Sequence, residues 1–201
     1  MKKLIALVLF SLATISLLNA QTKDKQHEIG IALSNFQSIG VTYRIGQSKA
    51  LWRFTTLFGD VFSSERVRDS TNQKTNFNGF SLAAGREWRN APNEKIELRW
   101  GFDLEYSYSN NSQSTNLTGS PADFESQDIT HSYGANAVLG ANYLFNDNLF
   151  IGVELLPYVS FSNRKSTTQI VSSNVDLEEK TSSMSFGLNS SSAQLVLGFR
   201  F

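Results

Sequence analysis

The sequence predicts an all-β chain, folded as an eight-stranded antiparallel up-and-down transmembrane β-barrel, and three observations predict it. From residue 27 onward the apolar residues recur with period two, not 3.6. The connections between the periodic segments alternate between short turns and long polar stretches. Bulky side chains and glycines fall on opposite faces of the same strands.

The chain has 201 residues, 40% of them hydrophobic and 18% charged, with formal net charge zero. That length suits one domain. Zero net charge gives no pull toward nucleic acid, so no nucleic-acid partner is expected. There is no cysteine, so neither disulfides nor a lipidated N-terminal cysteine contribute. Residues 1–20 stand apart. Met1-Lys2-Lys3 is a positive start, Leu4 to Leu18 is an apolar run, and Leu18-Asn19-Ala20 precedes a polar stretch. This is the pattern of a cleavable signal peptide. An uncleaved anchor helix is the alternative, but the run is short for a span of about 20 residues. The expected organisation is therefore a signal peptide over 1–20 and a barrel domain over 21–201.

The strands follow in order. The first covers about 27–34, where Ile29, Ile31 and Leu33 alternate with Glu28, Gly30 and Ala32. The second covers about 38–45 and ends at a tight turn over 46–49. The third, about 50–60, sets Trp52, Phe54 and Phe58 against Arg53, Thr55 and Gly59. The fourth, about 77–88, ends at Asn90-Ala91-Pro92-Asn93. The fifth, about 95–109, alternates most regularly, from Ile96 through Trp100 to Tyr108 on one face. The sixth and seventh cover about 130–145 and 149–161 around the turn Asn146-Asp147-Asn148, and Pro157 predicts a bulge. The eighth ends at Phe201, and a phase change predicts a second bulge near Ser190–Ser192. Short turns follow strands two, four and six. Long polar loops, 63–76, 110–127 and 163–182, follow strands three, five and seven. That asymmetry fits a membrane barrel with its short turns in the periplasm and its long loops outside the cell.

Size decides which face is outside. A soluble barrel would place the apolar face inward, but an eight-stranded barrel has an interior just wide enough for side chains to fill. The apolar phase carries Trp52, Phe54, Phe58, Phe80, Trp100, Phe102, Tyr106, Tyr133, Tyr143, Phe199 and Phe201, too many rings for that space. They are expected to face lipid. The opposite phase mixes glycine with charge: Glu28, Arg44, Arg53, Glu87, Lys95, Glu97, Arg99, Asp103, Glu105, Glu154 and Arg200. These form the expected lumen network. Either they pair across the interior and plug it, leaving a structural or surface-interaction protein, or they line a narrow, porin-like channel for small polar solutes. Near-cancellation of charge favours pairing, because an unpaired buried charge is costly. Arg86 breaks the pattern by falling on the lipid phase, near a turn where its guanidinium could reach headgroups.

Leu195-Val196-Leu197-Gly198-Phe199-Arg200-Phe201 resembles the terminal strand of bacterial outer-membrane barrels. Residues 27–201 as a whole look like the small OmpX, OmpW and OmpA-barrel group, by pattern and not by a signature motif. The resemblance implies the outer membrane of a Gram-negative bacterium as the location and outer-membrane lipid as the surroundings. It also implies that Phe199 and Phe201 act as an assembly signal read by the outer-membrane assembly machinery. It names no extracellular ligand.

Chemistry is sparse. A lipid-modifying barrel enzyme would resemble a Ser–His–acid hydrolase. Of the histidines, His27 and His131, the second adjoins Ser132, and neighbours on a strand point to opposite faces. Catalysis is therefore not expected. Metal binding and cofactors are not expected either, in the absence of cysteine and of clustered histidine. Asn110-Asn111-Ser112 and Asn116-Leu117-Thr118 match the glycosylation pattern by chance.

Overall fold

The computed structural model describes residues 25–34, 38–58, 62–68, 71–117, 124–170, 175–189 and 192–201. The expected signal peptide and Gly59 lie outside them. The strands are β1 (Gln26–Ser34), β2 (Ser38–Gln47), β3 (Ala50–Phe58), β4 (Phe62–Arg68), β5 (Thr71–Asn90), β6 (Ile96–Leu117), β7 (Phe124–Leu144), β8 (Leu149–Leu155), β9 (Tyr158–Ile170), β10 (Val175–Gly187) and β11 (Ala193–Arg200). All of their pairings are antiparallel. Among the described residues there is no α-helix.

Among the described residues eleven strands stand where eight were expected, because three of the expected strands are interrupted. β3 and β4 both pair with β5. β8 and β9 both pair with β7, on either side of Leu156-Pro157. Proline has no amide proton for a ladder, and there the neighbouring strand bonds across the break, with Ala137 N donating to Pro157 O at 2.8 Å. β10 pairs with β9 and β11 with β8, and the ladder is broken at Leu188 and Asn189, just after β10. Gly187, at φ +139°, turns the chain into that break in a conformation that favours glycine. From β7 the ladders run through β6, β5, β3, β2, β1, β11 and β8, and β8 pairs again with β7.

The long polar stretches are not loops. β5, β6 and β7 have 20, 22 and 21 residues, whereas a transmembrane strand needs about 9–11. The surplus is the polar sequence itself. Residues 71–76 pair with 112–117, 110–115 with 124–129, and 163–170 with 175–182. Ser, Thr and Asn on both faces leave no period-two hydropathy signal, yet the backbone groups still bond across a ladder. Among the described residues, β4 pairs only with β5 and β10 only with β9. Exposed pairs such as Lys165–Glu178 at 2.8 Å and Arg164–Asp128 at 2.6 Å decorate the hairpins. Pairs of this kind contribute about 0–1 kcal/mol each.

The opposite rim is tight. Asn93 Oδ1 accepts from the amides of Lys95 and Ile96, and Asn146 Oδ1 accepts from those of Asn148 and Leu149. The same side-chain turn therefore reverses the chain twice.

Burial is inverted relative to a soluble fold. Trp52, Phe54, Phe58, Trp100, Phe102, Tyr133, Tyr143, Phe199 and Phe201 are exposed on the outer wall, while Arg44, Arg53, Glu28, Glu87 and Glu154 are among the largest fully buried side chains. The inside is not wholly polar. Phe150, Ala32 and Val196 form a small buried apolar cluster. Phe150 fits because Gly198 lies opposite it; a Cβ there would run into the ring. Arg86, half-buried on the outer wall, holds its guanidinium 5.0 Å from the Trp52 ring centre, so a cation–π contact shields its charge.

Candidate functional site

Register brings the lumen charges together. Glu28 stands opposite Arg44 on β2 and Arg200 on β11. Arg53 stands opposite Gly85, which stands opposite Asp103. Gly85 is the spacer here: a Cβ would meet the Phe102 carbonyl and the Asp103 carboxylate. Removing that side chain lets Arg53 and Asp103 meet across an intervening strand, with Nε and Oδ2 at 3.1 Å.

Glu87 sits among four guanidinium groups, at 2.6 Å from Arg89 and 3.3 Å from each of Arg44, Arg53 and Arg99. Glu154 takes Arg44 at 2.6 Å, Arg53 at 2.8 Å and Arg99 at 2.9 Å. Glu28 is gripped in a fork by Arg89, both contacts being 2.6 Å, and bonds Arg200 at 2.8 Å. Arg200 reaches on to Glu97 at 2.7 Å. Apart from Glu97 and Arg200, these side chains are sealed from solvent almost completely. Each carboxylate faces at least one guanidinium, so the desolvation cost of several kcal/mol per buried ion is offset by attraction at contact distance.

Two of the expected network residues lie outside the ion-pair cluster. Lys95 is exposed in the turn before β6, because the alternation that placed it inside begins only at Ile96. Glu105 is half-buried above the cluster and bonds Asn136 Nδ2 at 2.6 Å, and among the described residues it forms no ion pair. Arg89 was missed, although it lies two residues beyond Glu87 and so shares its face. It is buried and binds Glu28, Glu87 and Glu97.

Above the cluster, toward the long hairpins, the lumen opens into a cavity of about 340 Å³ lined by Glu105, Asn136, Gln194, Tyr158 and many serines. Ser132 lines it, whereas His131 bonds Tyr106 Oη at 2.9 Å on the other face. At the turn rim, Phe201 exchanges two backbone hydrogen bonds with His27, of 3.1 and 2.9 Å, and stacks on its ring at 5.7 Å.

Charge packed inside and rings outside is the arrangement expected of a barrel whose outer wall meets lipid. No family model and no curated protein matches the sequence. Solved structures do match. The major outer membrane protein of Thermus thermophilus superposes with a TM-score of 0.50 at 11% identity, over 89% of this chain and 98% of that one. The fold of this chain is that of an outer-membrane β-barrel. Its apolar outer wall fits the outer membrane as its location. Neisserial surface protein A is similar over 88% of this chain and 93% of its own, at 15% identity and a TM-score of 0.34. Ail, the attachment invasion locus protein of Yersinia pestis, is similar over 90% of this chain and 100% of its own, at 14% identity and a TM-score of 0.35. At these identities the likeness is one of fold. Among the described residues no group of three or more histidines and acids could hold a metal.

Proposed function

We propose that this chain is a signal-peptide-exported integral outer-membrane barrel of eight antiparallel legs, plugged by its own charges, with a structural or surface-interaction role carried by the hairpins outside the cell. The count of eight takes β3 with β4, β8 with β9 and β10 with β11 as single interrupted legs. The observation that carries the plug is the run of buried ion pairs joining Glu28, Glu87 and Glu154 to Arg44, Arg53, Arg89 and Arg99. Moving these side chains aside would uncouple several pairs at once among side chains sealed from solvent. Outer-membrane lipid surrounds the wall, and the assembly machinery is a partner during biogenesis. No catalytic role is assigned, since His131 and Ser132 are held on opposite faces.

Two measurements test this reading. The purified barrel in a planar bilayer should give no steady single-channel steps. Reproducible conductance would replace the plug with the narrow-channel alternative. On a gel, the unheated protein should migrate differently from the boiled protein. Identical mobility, with the protein in the soluble fraction, would remove the membrane-barrel reading altogether.

A further inference from the structure

We propose that the cavity on the hairpin side of the lumen is a binding cup for a small protonated amine bearing several hydroxyls, of the amino-sugar class. The cup rests on the reading that the ion pairs beneath it close the lumen.

Three observations point to that chemistry. Among the described residues that line the cavity, Glu105 carries the only formal charge. Its hydrogen bond is to the neutral amide of Asn136 at 2.6 Å, and none of the ion pairs among the described residues includes it. Gln194 also lines the cavity; it is only 6% exposed, and its Oε1 has no hydrogen-bond partner. A buried acceptor left unmade costs about 1–3 kcal/mol, so the site gains when a donor arrives. The cup therefore offers a carboxylate without a cationic partner among the described residues and an amide oxygen without a hydrogen bond, both of which accept from N–H or O–H groups. An ammonium supplies three donors and no acceptor. Serine hydroxyls such as those of Ser107 and Ser132 donate or accept as required, which suits a polyol body, and Tyr158 adds ring surface against which a sugar face can lie. An anion would meet Glu105 with like charge. A divalent cation would find only one carboxylate.

The test uses the folded full-length barrel in detergent, with titration calorimetry against glucosamine, N-acetylglucosamine and glucose. Glucosamine should bind saturably, and the two neutral sugars about tenfold more weakly or worse, as expected for loss of a charge-assisted hydrogen bond. Glu105→Gln should bring glucosamine down to the level of the neutral sugars. Glu105→Asp, which keeps the charge, should retain part of the preference. Each variant is first checked for its heat-dependent gel shift. If a variant fails that check, the ranking of the three sugars on the unmodified barrel decides. Absence of glucosamine binding to the folded barrel, or equal binding of all three sugars, would overturn the proposal. Failure of the plug would appear separately, as bilayer conductance.

Discussion

Glu87→Ala should destabilise the barrel by about 3–5 kcal/mol, the cost of breaking a buried ion pair by removing one partner. Glu87 is fully buried and touches Arg44, Arg53, Arg89 and Arg99. Its removal leaves those guanidinium groups crowded together with less compensating charge. Arg44 and Arg99 keep Glu154, and Arg89 keeps Glu28, so the loss is shared rather than catastrophic for any one cation. Urea unfolding of the refolded protein in detergent measures the change. Glu87→Gln, which keeps the shape and some hydrogen bonding, should fall between alanine and the unmodified protein. Lys95→Ala serves as the control, since Lys95 is exposed, and should change stability by less than about 0.5 kcal/mol. A Glu87→Ala effect as small as that of Lys95→Ala would mean that water, not pairing, stabilises these charges. The network would then be no plug.

The same charges show how far the sequence could be read. Alternation identified the inner and outer faces because each membrane-spanning segment has two different solvents, lipid on one side and a packed lumen on the other. Glu28, Arg44, Arg53, Glu87, Arg99, Asp103 and Glu154 could be placed inside on that signal alone. Where the two sides become alike, the signal vanishes. The hairpins above the membrane have water on both faces, so their Ser, Thr and Asn residues looked like loop and are strand. Parity also fails at element ends: Lys95 precedes the first paired residue of β6, and its side chain is free to leave the lumen. Arg89 was legible by parity from Glu87, but its position beside a turn disguised it. Phe150 shares the parity of Gly152 and Glu154, but nothing in its own strand shows that so large a ring fits inside. Its place inside depends on Gly198, a residue 48 positions away that only the β8–β11 register brings opposite. Pairing partners, such as Arg53 with Asp103 across Gly85, likewise come from register, which sequence periodicity does not specify.

Deleting Phe201 should lower both stability and assembly, and the two effects can be separated. The His27–Phe201 pair ties the last residue to the first strand through two backbone hydrogen bonds and a stacked ring. At about 0.5–1.5 kcal/mol for each of these contacts, the deletion should cost about 2–4 kcal/mol in refolding without any cellular machinery. In cells, the assembled fraction in the outer membrane should fall while export across the inner membrane continues. His27→Ala provides the comparison. It removes the stack and the 2.8 Å bond to Tyr43 Oη, yet leaves the backbone pair and the exposed terminal rings of Phe199 and Phe201 in place. It should therefore lose about 1–2 kcal/mol in refolding and assemble in cells nearly as the unmodified chain does. If His27→Ala impairs cellular assembly as severely as the deletion, Phe201 acts as a clamp on β1 and not as a signal. If the deletion impairs assembly while refolding unaided at full stability, the clamp is dispensable and recognition of the terminal ring is its whole role.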